Sequence, residues 1–397
     1  MDKEILECVL KRNWKDSTPE KVVSMEVVPA VGKFVNFLST VNRYNFKIIL
    51  GNGRTAKKSL FIKTSSTDES IIAYNEGRGT FKTEIKMYEV FKEFEYIMAE
   101  FKDSDDVLWC QMIYYIPYTC IVMEDLKAKG FYMISNKDLF DLEHCMLAIH
   151  ALGRYHGICK ILEDRGLLSS TGYKPWCFFD NEVIQLKYWG IVALVEGIKK
   201  TWDPSWTQIV DKIKITKESL SQRLKKLEEV DETKFNLLNH GDCNKNNILF
   251  KYDWAKRPIG IRFVDFQMVH YGSPCLDLTY FLYLSSDPSV RRENFDLLMR
   301  TYHDSLLNTL NKYQYKGKKP DFEEILAGME KCSFIGLFIF LTRYPSLCMS
   351  EETGPQIDMK KVVASGGKEG YADEHFKPDL LEDGMGPDIK TFAEFFI

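Results

Sequence analysis

The chain has 397 residues, with 53 Lys plus Arg and 57 Asp plus Glu, which gives a formal net charge of −4. A near-neutral chain has no general attraction to nucleic acid or to an anionic membrane surface, so we expect neither as a partner. Hydrophobic residues make up 45% and charged residues 28%, which is the balance of a globular protein with a large buried core. Composition therefore excludes a disordered, collagen-like or coiled-coil chain.

The cysteine pattern and the N-terminus bear on the cellular compartment. Ten cysteines are scattered along the chain without a C-x-x-C pair or zinc-type spacing, which is typical of reduced thiols in the cytosol. The first residues are too charged for a secretory signal, and the most apolar run, Phe334–Leu341, is too short to cross a bilayer. We expect a cytoplasmic protein without an obligatory protein partner.

The first third of the chain has the pattern of an antiparallel sheet followed by a helix. The turn Gly51–Arg54 contains residues that tolerate positive φ, and the apolar runs on either side of it predict a hairpin. The elements predicted in this part are strands at 45–50 and 58–63, a helix at 79–94, and strands at 107–115 and 118–123.

After Leu126 the pattern becomes mainly helical. Helices are predicted at 137–158, 184–199, 205–229, 290–314 and 321–345, with short strands within 236–250 and 260–266. Residues 351–390 carry six Gly and three Pro, which predicts a loop-rich wrap or a mobile lid. The fold class is therefore α+β, with a small antiparallel β-rich N-lobe at 1–123, a hinge at 124–127, and a larger, mainly helical C-lobe at 128–397.

The chemistry is concentrated in two stretches, 238–250 and 261–267. The first contains His240, Asp242 and Asn247 in the spacing H-x-D-x-x-x-x-N, and the second places Asp265 in a D-F pair after an apolar run. Phosphoryl transfer needs one carboxylate to orient the attacking hydroxyl, and a second carboxylate with an amide oxygen to hold Mg²⁺. A capping aspartate and a turn asparagine would explain the first stretch alone, but not the whole composite with Asp277.

A site of this kind also needs a lysine for the nucleotide phosphates and a glutamate to hold that lysine. Lys63 ends an apolar strand, and Glu84 lies on the following helix in an amphipathic frame. Glu76 and Glu89 are rivals for the glutamate role. A lysine at a strand end is more often simply solvated, and the order of the two residues along the chain favours the functional interpretation.

The phosphate-covering loop is the weakest part of the pattern. No G-x-G-x-x-G occurs, and residues 30–39 before the hairpin contain one glycine. Backbone N–H groups of this loop, together with the Ser39 hydroxyl, are candidates for phosphate contacts. An ordinary turn accounts for the segment equally well.

The segments HGDCNKNNILFKYD and IRFVDFQMVHYGSPCLDLTYFL resemble the ecdysteroid kinase-like family, also called CHK kinase-like. Members of this family are small-molecule kinases, similar in fold to choline kinases and aminoglycoside phosphotransferases. The resemblance extends to 61–63, the helix with Glu84, 121–126 and 149–156. It covers roughly residues 25–345.

This resemblance implies a bilobed protein-kinase-like fold that uses ATP and Mg²⁺. By the match of motifs, Asp242 is the catalytic base, and Asn247 and Asp265 are the metal ligands. Lys63 with Glu84 is the pair that clamps the phosphates.

The resemblance also assigns supporting roles. Backbone groups around Glu124 and Leu126 are expected to meet adenine, and Asp277 to brace the catalytic loop through hydrogen bonds. His240 is expected to be a packed structural histidine, as are His150 and His156.

The acceptor is expected to be a small molecule rather than a protein. Gly241 replaces the arginine that protein kinases use to sense a phosphorylated activation loop, and only 11 residues separate Asp265 from Asp277. The helical part is rich in aromatic residues that would suit an apolar alcohol, although each of them could simply be core. These residues are Trp176, Phe178, Phe179, Tyr188 and Trp189.

Three functional hypotheses remain open from sequence. The first is an ATP-dependent kinase of an ecdysteroid, another sterol-like alcohol or a foreign alcohol. The second is a kinase of the choline or aminoglycoside type, and the third is a catalytically silent ligand-binding pseudokinase. Asn244 stands where the family usually has an aromatic residue, and this departure and the glycine-poor loop favour the third hypothesis mildly. The intact Asp242, Asn247, Asp265 and Lys63 oppose it.

Overall fold

In a computed structural model of the chain, the described residues are 3–12, 19–30, 38–135, 138–174, 176, 180–349 and 357–396. By their contacts the residues form two compact units. The first unit comprises 1–132 and 249–267, and the second comprises 133–248 and 268–397. Residues 249–267, which follow the motif at 238–248, therefore belong to the first unit. A single division of the chain at 124–127 would have placed them in the second unit. The role of 124–127 as a hinge stays a prediction.

The helices and strands follow in chain order. Residues before 133 form α1 (Lys3–Arg12), β1 (Pro19–Pro29), β2 (Ser39–Leu50), β3 (Thr55–Ser65), α2 (Glu69–Arg78), α3 (Thr80–Glu100), β4 (Met112–Ile116), β5 (Cys120–Glu124) and β6 (Phe131–Tyr132). Later residues form α4 (Leu142–Asp164), α5 (Asn181–Thr201), α6 (Ser205–Val210), α7 (Lys217–Glu228), β7 (Leu237–Asn239), β8 (Ile248–Tyr252), β9 (Pro258–Phe263), β10 (His270–Gly272), α8 (Cys275–Leu284), α9 (Pro288–Glu293), α10 (Phe295–Lys312), α11 (Phe322–Leu347), α12 (Met359–Ser365) and α13 (Pro378–Glu394).

The first unit is built on a five-stranded sheet with the order β1-β2-β3-β5-β4. All of its neighbouring strands pair antiparallel, and β2 and β3 form the predicted hairpin around the turn at 51–54. Strands β6, β8 and β9 make a second, three-stranded sheet. The predicted class, α+β with an antiparallel sheet in the N-terminal part and a mainly helical remainder, is confirmed.

The core of the first unit follows from alternation along the strands. Phe46 and Ile48 on β2 and Ile62 on β3 point to the same face and pack with Leu6 and Val9 of α1. Successive side chains of a strand point to opposite faces, so every second residue enters this core. The same alternation fixes which side chains of β3, Lys63 among them, lie on the opposite face.

Helix α3 positions the glutamate of the site. It begins after Gly79, whose φ of +68° ends α2 and redirects the chain. Phe81, Glu84, Tyr88 and Phe91 are all buried and recur every three or four residues, which places them on one face. The predicted helix at 79–94 is confirmed, and it continues to Glu100.

The second unit is organised around α11. This helix is the one described helix that is long and apolar enough to cross a membrane by length and composition, but 61% of its apolar window is buried in the protein. It packs against α8, α13 and α5 of the same unit. The run 334–341, noted in the sequence for its apolarity, thus lies within the central helix of this unit.

Several element boundaries differ from the sequence predictions. The helix predicted at 205–229 is two helices, α6 and α7, because Thr216 caps a new start by exchanging hydrogen bonds with Ser219. The helix predicted at 290–314 is likewise divided into α9 and α10 at Asn294. The strand predicted at 107–115 is regular only from Met112.

The prediction of a loop-rich wrap or lid at 351–390 was wrong for most of that segment. Residues 351–356 lie outside the described residues, but α12 and most of α13 fall within the range. Pro378 occupies the first turn of α13, where its missing N–H has no intrahelical partner to lose. Glycine and proline counts alone did not reveal that this proline begins a helix.

The packing of the C-terminal segment predicts a pH dependence of stability. His375 is 1% exposed, contacts the rings of Tyr371 and Phe376, and makes no ring hydrogen bond to any described residue. Burial lowers the pKa of His375 below its ordinary value of 6.5. The unfolded chain therefore binds a proton first, so we expect the free energy of unfolding to fall as the pH drops below about 6.5. Urea unfolding across pH 5–8 measures this, and His375→Phe should flatten the slope; an unchanged slope would contradict it.

Candidate active site

Lys63 is the centre of a buried ionic network in the first unit. Its side chain is 3% exposed. Nζ donates to Glu84 Oε2 at 2.7 Å, to Asp265 Oδ1 at 2.6 Å and to Gln267 Oε1 at 3.1 Å. Residues from β3, from α3 and from the turn after β9 are thus brought together. Of the three candidate glutamates, Glu84 is the one that contacts Lys63, whereas Glu76 and Glu89 are exposed.

The charges in this network are unequal, since one lysine faces two carboxyl groups. Burial by itself would lower the pKa of Lys63, but Asp265 and Glu84 outweigh it and hold the pKa above its ordinary value. Burial raises the pKa of Glu84 to about 7 despite the opposing effect of Lys63. Glu84 Oε1 is also buried without a hydrogen-bond partner among the described residues. Lys63 therefore stays protonated between the Glu84 and Asp265 carboxyl groups.

Asp265 is held in an unusual backbone conformation. Its φ is +69°, a region that non-glycine residues rarely adopt and that often marks functional sites. The next residue, Phe266, is fully buried against Tyr88 and Phe91, with ring centroids 5.5 and 4.9 Å away. This aromatic anchor fixes the turn, and with it the direction in which the Asp265 carboxylate points.

Gln267 was missed by the sequence interpretation, although it follows the D-F pair directly. Its amide group accepts from Lys63 through Oε1 and donates from Nε2 to Asp265 Oδ2 at 3.2 Å. It thus bridges the cation and the carboxylate with one rigid group. A polar residue after D-F, where protein kinases carry glycine, was the signal available in the sequence.

We expect Gln267→Ala to weaken metal-dependent nucleotide binding about tenfold, because it removes two hydrogen bonds to charged groups. Titration calorimetry with a non-hydrolysable ATP analogue and Mg²⁺ measures the change. Glu93→Ala, at an exposed position of the same unit, is the control and should bind like the wild type. Equal affinity of Gln267→Ala and the control would refute the bridging role.

Asp242 lies in the second unit, in the loop between β7 and β8. Its carboxylate accepts hydrogen bonds from Asn244 Nδ2 at 2.7 Å, from Tyr280 Oη at 3.0 Å and from Asn247 Nδ2 at 2.8 Å. Donors from within the loop and from α8 thus orient it. Asn244 also caps the short turn 245–247 by accepting from the Asn246 N–H.

The loop at 240–247, which we call the catalytic-motif loop after its sequence motif, is also fixed by a second carboxylate. Asp277, at the start of α8, accepts from the N–H groups of His240 and Gly241, and its partner His156 Nε2 lies 3.2 Å away. These groups are nearly or completely buried. Burial by itself would raise the pKa of Asp277, but the hydrogen bond from His156 and the neighbouring histidines outweigh it and hold the pKa below its ordinary value. Asp277 thus holds the loop through two backbone N–H groups.

Lys245 anchors the far side of the same loop. Its side chain is buried, and Nζ donates to the backbone oxygen of Asp138 at 2.9 Å. Burial lowers the pKa of Lys245 to about 8. Trp176 adds a further anchor, since its Nε1–H donates to Gly241 O at 2.8 Å.

The predicted adenine-binding segment lies at the end of β5. The Glu124 N–H is used within the sheet, where it donates to Gln111 O at 3.0 Å. Leu126 is buried and begins the short helical turn 126–129. Asp125 between them accepts from Arg43 Nε at 2.8 Å, and this pair holds the segment in place.

The predicted phosphate loop and the predicted acceptor pocket both lie partly outside the described residues. Ser39 begins β2 and is buried, but residues 31–37 of the predicted phosphate loop lie outside the described residues. Phe178 and Phe179 of the predicted acceptor pocket also lie outside them, and Trp176 is a core residue. Tyr188 and Trp189 are half-buried on α5.

The donor atoms available for Mg²⁺ are few but of the right kind. No three His, Cys, Asp or Glu side chains form a metal cluster within the described part of the chain. Mg²⁺ is usually held by one or two carboxylates together with substrate phosphates, so such a cluster is not required. Asp265 offers a carboxylate. Asn247 donates from Nδ2 to Asp242, so its Oδ1 is the atom suited to a cation. Each of these residues by itself thus offers an oxygen of the kind that Mg²⁺ binds.

Comparison with known proteins settles the family. The profile of the ecdysteroid kinase-like family matches residues 33–315, which is more than half of the chain. The chain belongs to the ecdysteroid kinase-like family. The match spans both groups of site residues, from Lys63 and Glu84 to Asp242, Asn247 and Asp265, and so confirms the resemblance seen in the sequence.

Other comparisons add little to this family assignment. No curated protein matches the sequence. A GDP complex of a mutant aminoglycoside 2′-phosphotransferase aligns with a TM-score of 0.40 and 10% identity, covering 98% of this chain and 100% of that one. An amicoumacin kinase in complex with AMP-PNP, Ca²⁺ and Ami aligns with a TM-score of 0.37 and 14% identity, covering 95% of this chain and 96% of that one. At these TM-scores the likeness decides nothing about this ecdysteroid kinase-like chain.

Proposed function

We propose that this protein is an ATP-dependent kinase that transfers the γ-phosphoryl group to the hydroxyl of a small molecule. The observation that carries the proposal is the buried Lys63 network. A buried cation held by Glu84 and Asp265 is suited to contact nucleotide phosphates, whose remaining charge a divalent cation would neutralise. Membership of a kinase-like family supports the same function.

The roles follow from the chemistry of each group. Asp242 would orient the acceptor hydroxyl and take its proton as the new oxygen–phosphorus bond forms and the bond between the γ-phosphorus and the bridging oxygen breaks. Lys63 would neutralise charge on the phosphates, and Leu126 would donate its N–H to adenine. A bound Mg²⁺ would supply further neutralisation of the phosphate charge, with Asp265 and Asn247 as its protein ligands.

The acceptor is proposed to be an apolar alcohol, ecdysteroid-like or foreign. Gly241 and the short connection between Asp265 and Asp277 leave little room for a long activation segment or a peptide platform, which supports a small-molecule acceptor. We further propose that the protein acts in the cytoplasm without a nucleic acid, membrane or obligatory protein partner.

The test is ATP consumption with a panel of ecdysteroids, other sterols, choline-type amino alcohols and phenolic alcohols. Turnover with a sterol or a phenolic alcohol supports the proposal. A profile restricted to amino alcohols would replace it with a choline-type kinase. Nucleotide or acceptor binding without turnover on any alcohol would replace it with a silent ligand-binding protein.

A further inference from the structure

A cavity of about 280 Å³ lies inside the second unit, away from the reacting groups. Its inner wall is formed by Trp176 and His270, which are 1% and 2% exposed. Phe235, the start of α8 and one face of α11 complete it. Asp242, Asn244 and Asn247 do not line it, so a molecule inside would not meet an attacking hydroxyl.

The lining selects the chemistry of an occupant. The walls are mainly apolar and aromatic, with one half-buried carboxylate, Glu324, that already accepts from the Phe235 N–H. The other charged lining residues, Glu229, Asp231, Lys234 and Lys331, are exposed. Pockets for drug-sized ligands usually measure about 300–1,000 Å³, so this one lies just below that range. It therefore suits a compact, uncharged molecule of one or two rings.

The inner wall of the cavity is connected to the loop that carries Asp242. The Trp176 ring stacks on His270, with centroids 5.6 Å apart, and its Nε1–H donates to Gly241 O at 2.8 Å. The Trp176 ring also contacts Tyr280 edge-on at 5.5 Å, and the Tyr280 hydroxyl donates to Asp242 Oδ1 at 3.0 Å. One indole ring thus touches the cavity and two groups that hold the loop.

We propose that this cavity is a regulatory site for a compact, uncharged, mainly apolar molecule that acts on the loop at 240–247 through Trp176. An occupant that packs against the indole ring stabilises the orientation in which Nε1 reaches Gly241. A ligand shifts a conformational equilibrium toward the state that it binds more tightly. An occupant that binds better when Trp176 is bonded to Gly241 therefore orders the loop at 240–247. The effect concerns the loop itself and holds whether or not the protein proves to be a kinase.

Indole is a suitable probe because it is compact, aromatic and uncharged. We expect ligand-observed NMR to detect its binding to the full chain with a dissociation constant in the micromolar to millimolar range. Hydrogen exchange of the backbone amides at 240–247 should slow severalfold when indole is present. Neither measurement requires ATP or an acceptor, so failure here is distinguishable from failure of the proposed kinase activity.

Two variants separate occupancy from coupling. Ala327→Leu on α11 places a larger side chain at the cavity wall and should abolish indole binding, whereas Ala73→Leu, at an exposed helical position of the first unit, should not. Trp176→Phe keeps an aromatic ring but removes the Nε1–H donor. We expect it to bind indole while losing the effect on exchange at 240–247.

The outcomes decide the proposal. Loss of indole binding in Ala327→Leu supports the site. Indole that slows hydrogen exchange at 240–247 in the wild type but not in Trp176→Phe supports the coupling to the loop. No binding of indole at millimolar concentration, or equal binding by Ala327→Leu and the wild type, would overturn the site. Binding without any change of exchange at 240–247, or the same change in Trp176→Phe, would overturn its regulatory action.

Discussion

Asp242→Asn should lower kcat for the alcohol that the wild type phosphorylates by about 10²–10⁴-fold, the usual contribution of a positioned general base. The variant keeps the shape of the side chain but loses its basic oxygen. The new amide would also face Asn247 Nδ2, which now donates to Asp242 Oδ2, so two N–H groups would oppose each other. Affinity for a non-hydrolysable ATP analogue should stay within about twofold, since the loss concerns the hydroxyl rather than the nucleotide.

The matched control is Asp304→Asn, an exposed carboxylate on α10 of the same unit, which should keep wild-type kcat. Tyr280→Phe should have an intermediate effect, because it removes one of three donors to the Asp242 carboxylate and leaves its basicity intact. Steady-state kinetics with a coupled ADP assay measures all three variants. Wild-type turnover by Asp242→Asn would exclude Asp242 as the base.

The candidate site residues could be proposed from the sequence because phosphoryl transfer dictates their types and spacing. A base, an amide and a second carboxylate must occur in a fixed order around short strands. This pattern and the family resemblance together predict the roles of Asp242, Asn247 and Asp265, and these roles stay predictions. The choice of Glu84 among three glutamates was also possible, since an amphipathic frame identifies the buried face of α3.

Apart from Asp277, the side chains that hold the Asp242 loop could not be predicted in the same way. Tyr280 and Trp176 contact this loop from two other segments, and their contacts depend on long-range packing that no local pattern records. The predicted boundaries of some helices were wrong for a related reason. The break before α7 depends on a two-residue capping exchange, which a periodicity of apolar residues cannot show.

Asn244 illustrates how a departure from the family pattern acquires a structural role. In the sequence it appeared only as the loss of an aromatic residue. In the structure its side chain both donates to Asp242 Oδ1 and caps the turn that carries Asn247. A bulky aromatic ring could do neither, so this loop depends on hydrogen bonds where an aromatic residue would have packed. The difference lies next to the base, where it would affect the choice of acceptor.

Gly241→Ala should be the most destabilising single substitution in the catalytic-motif loop. Gly241 has φ of +81°, and a Cβ built there would lie 1.9 Å from Met268 O, closer than any real contact. Its N–H and C=O are also bonded to Asp277 and Trp176, so the backbone has little freedom to move aside. We expect a loss of more than about 4 kcal/mol in the free energy of unfolding.

Gly166→Ala separates the cost of a side chain at positive φ from the cost of the clash with Met268 O. Gly166 has a similar φ of +72° in the same unit, but a Cβ there meets nothing within 4 Å. This substitution should therefore carry only the backbone strain of the left-handed region, about 1–2 kcal/mol. Urea unfolding followed by far-UV circular dichroism compares the two variants. Equal losses would show that the conformation of Gly241 matters and its contact with Met268 does not. A much larger loss for Gly241→Ala would show that the close approach of these two backbone segments is what excludes every side chain from the position before Asp242.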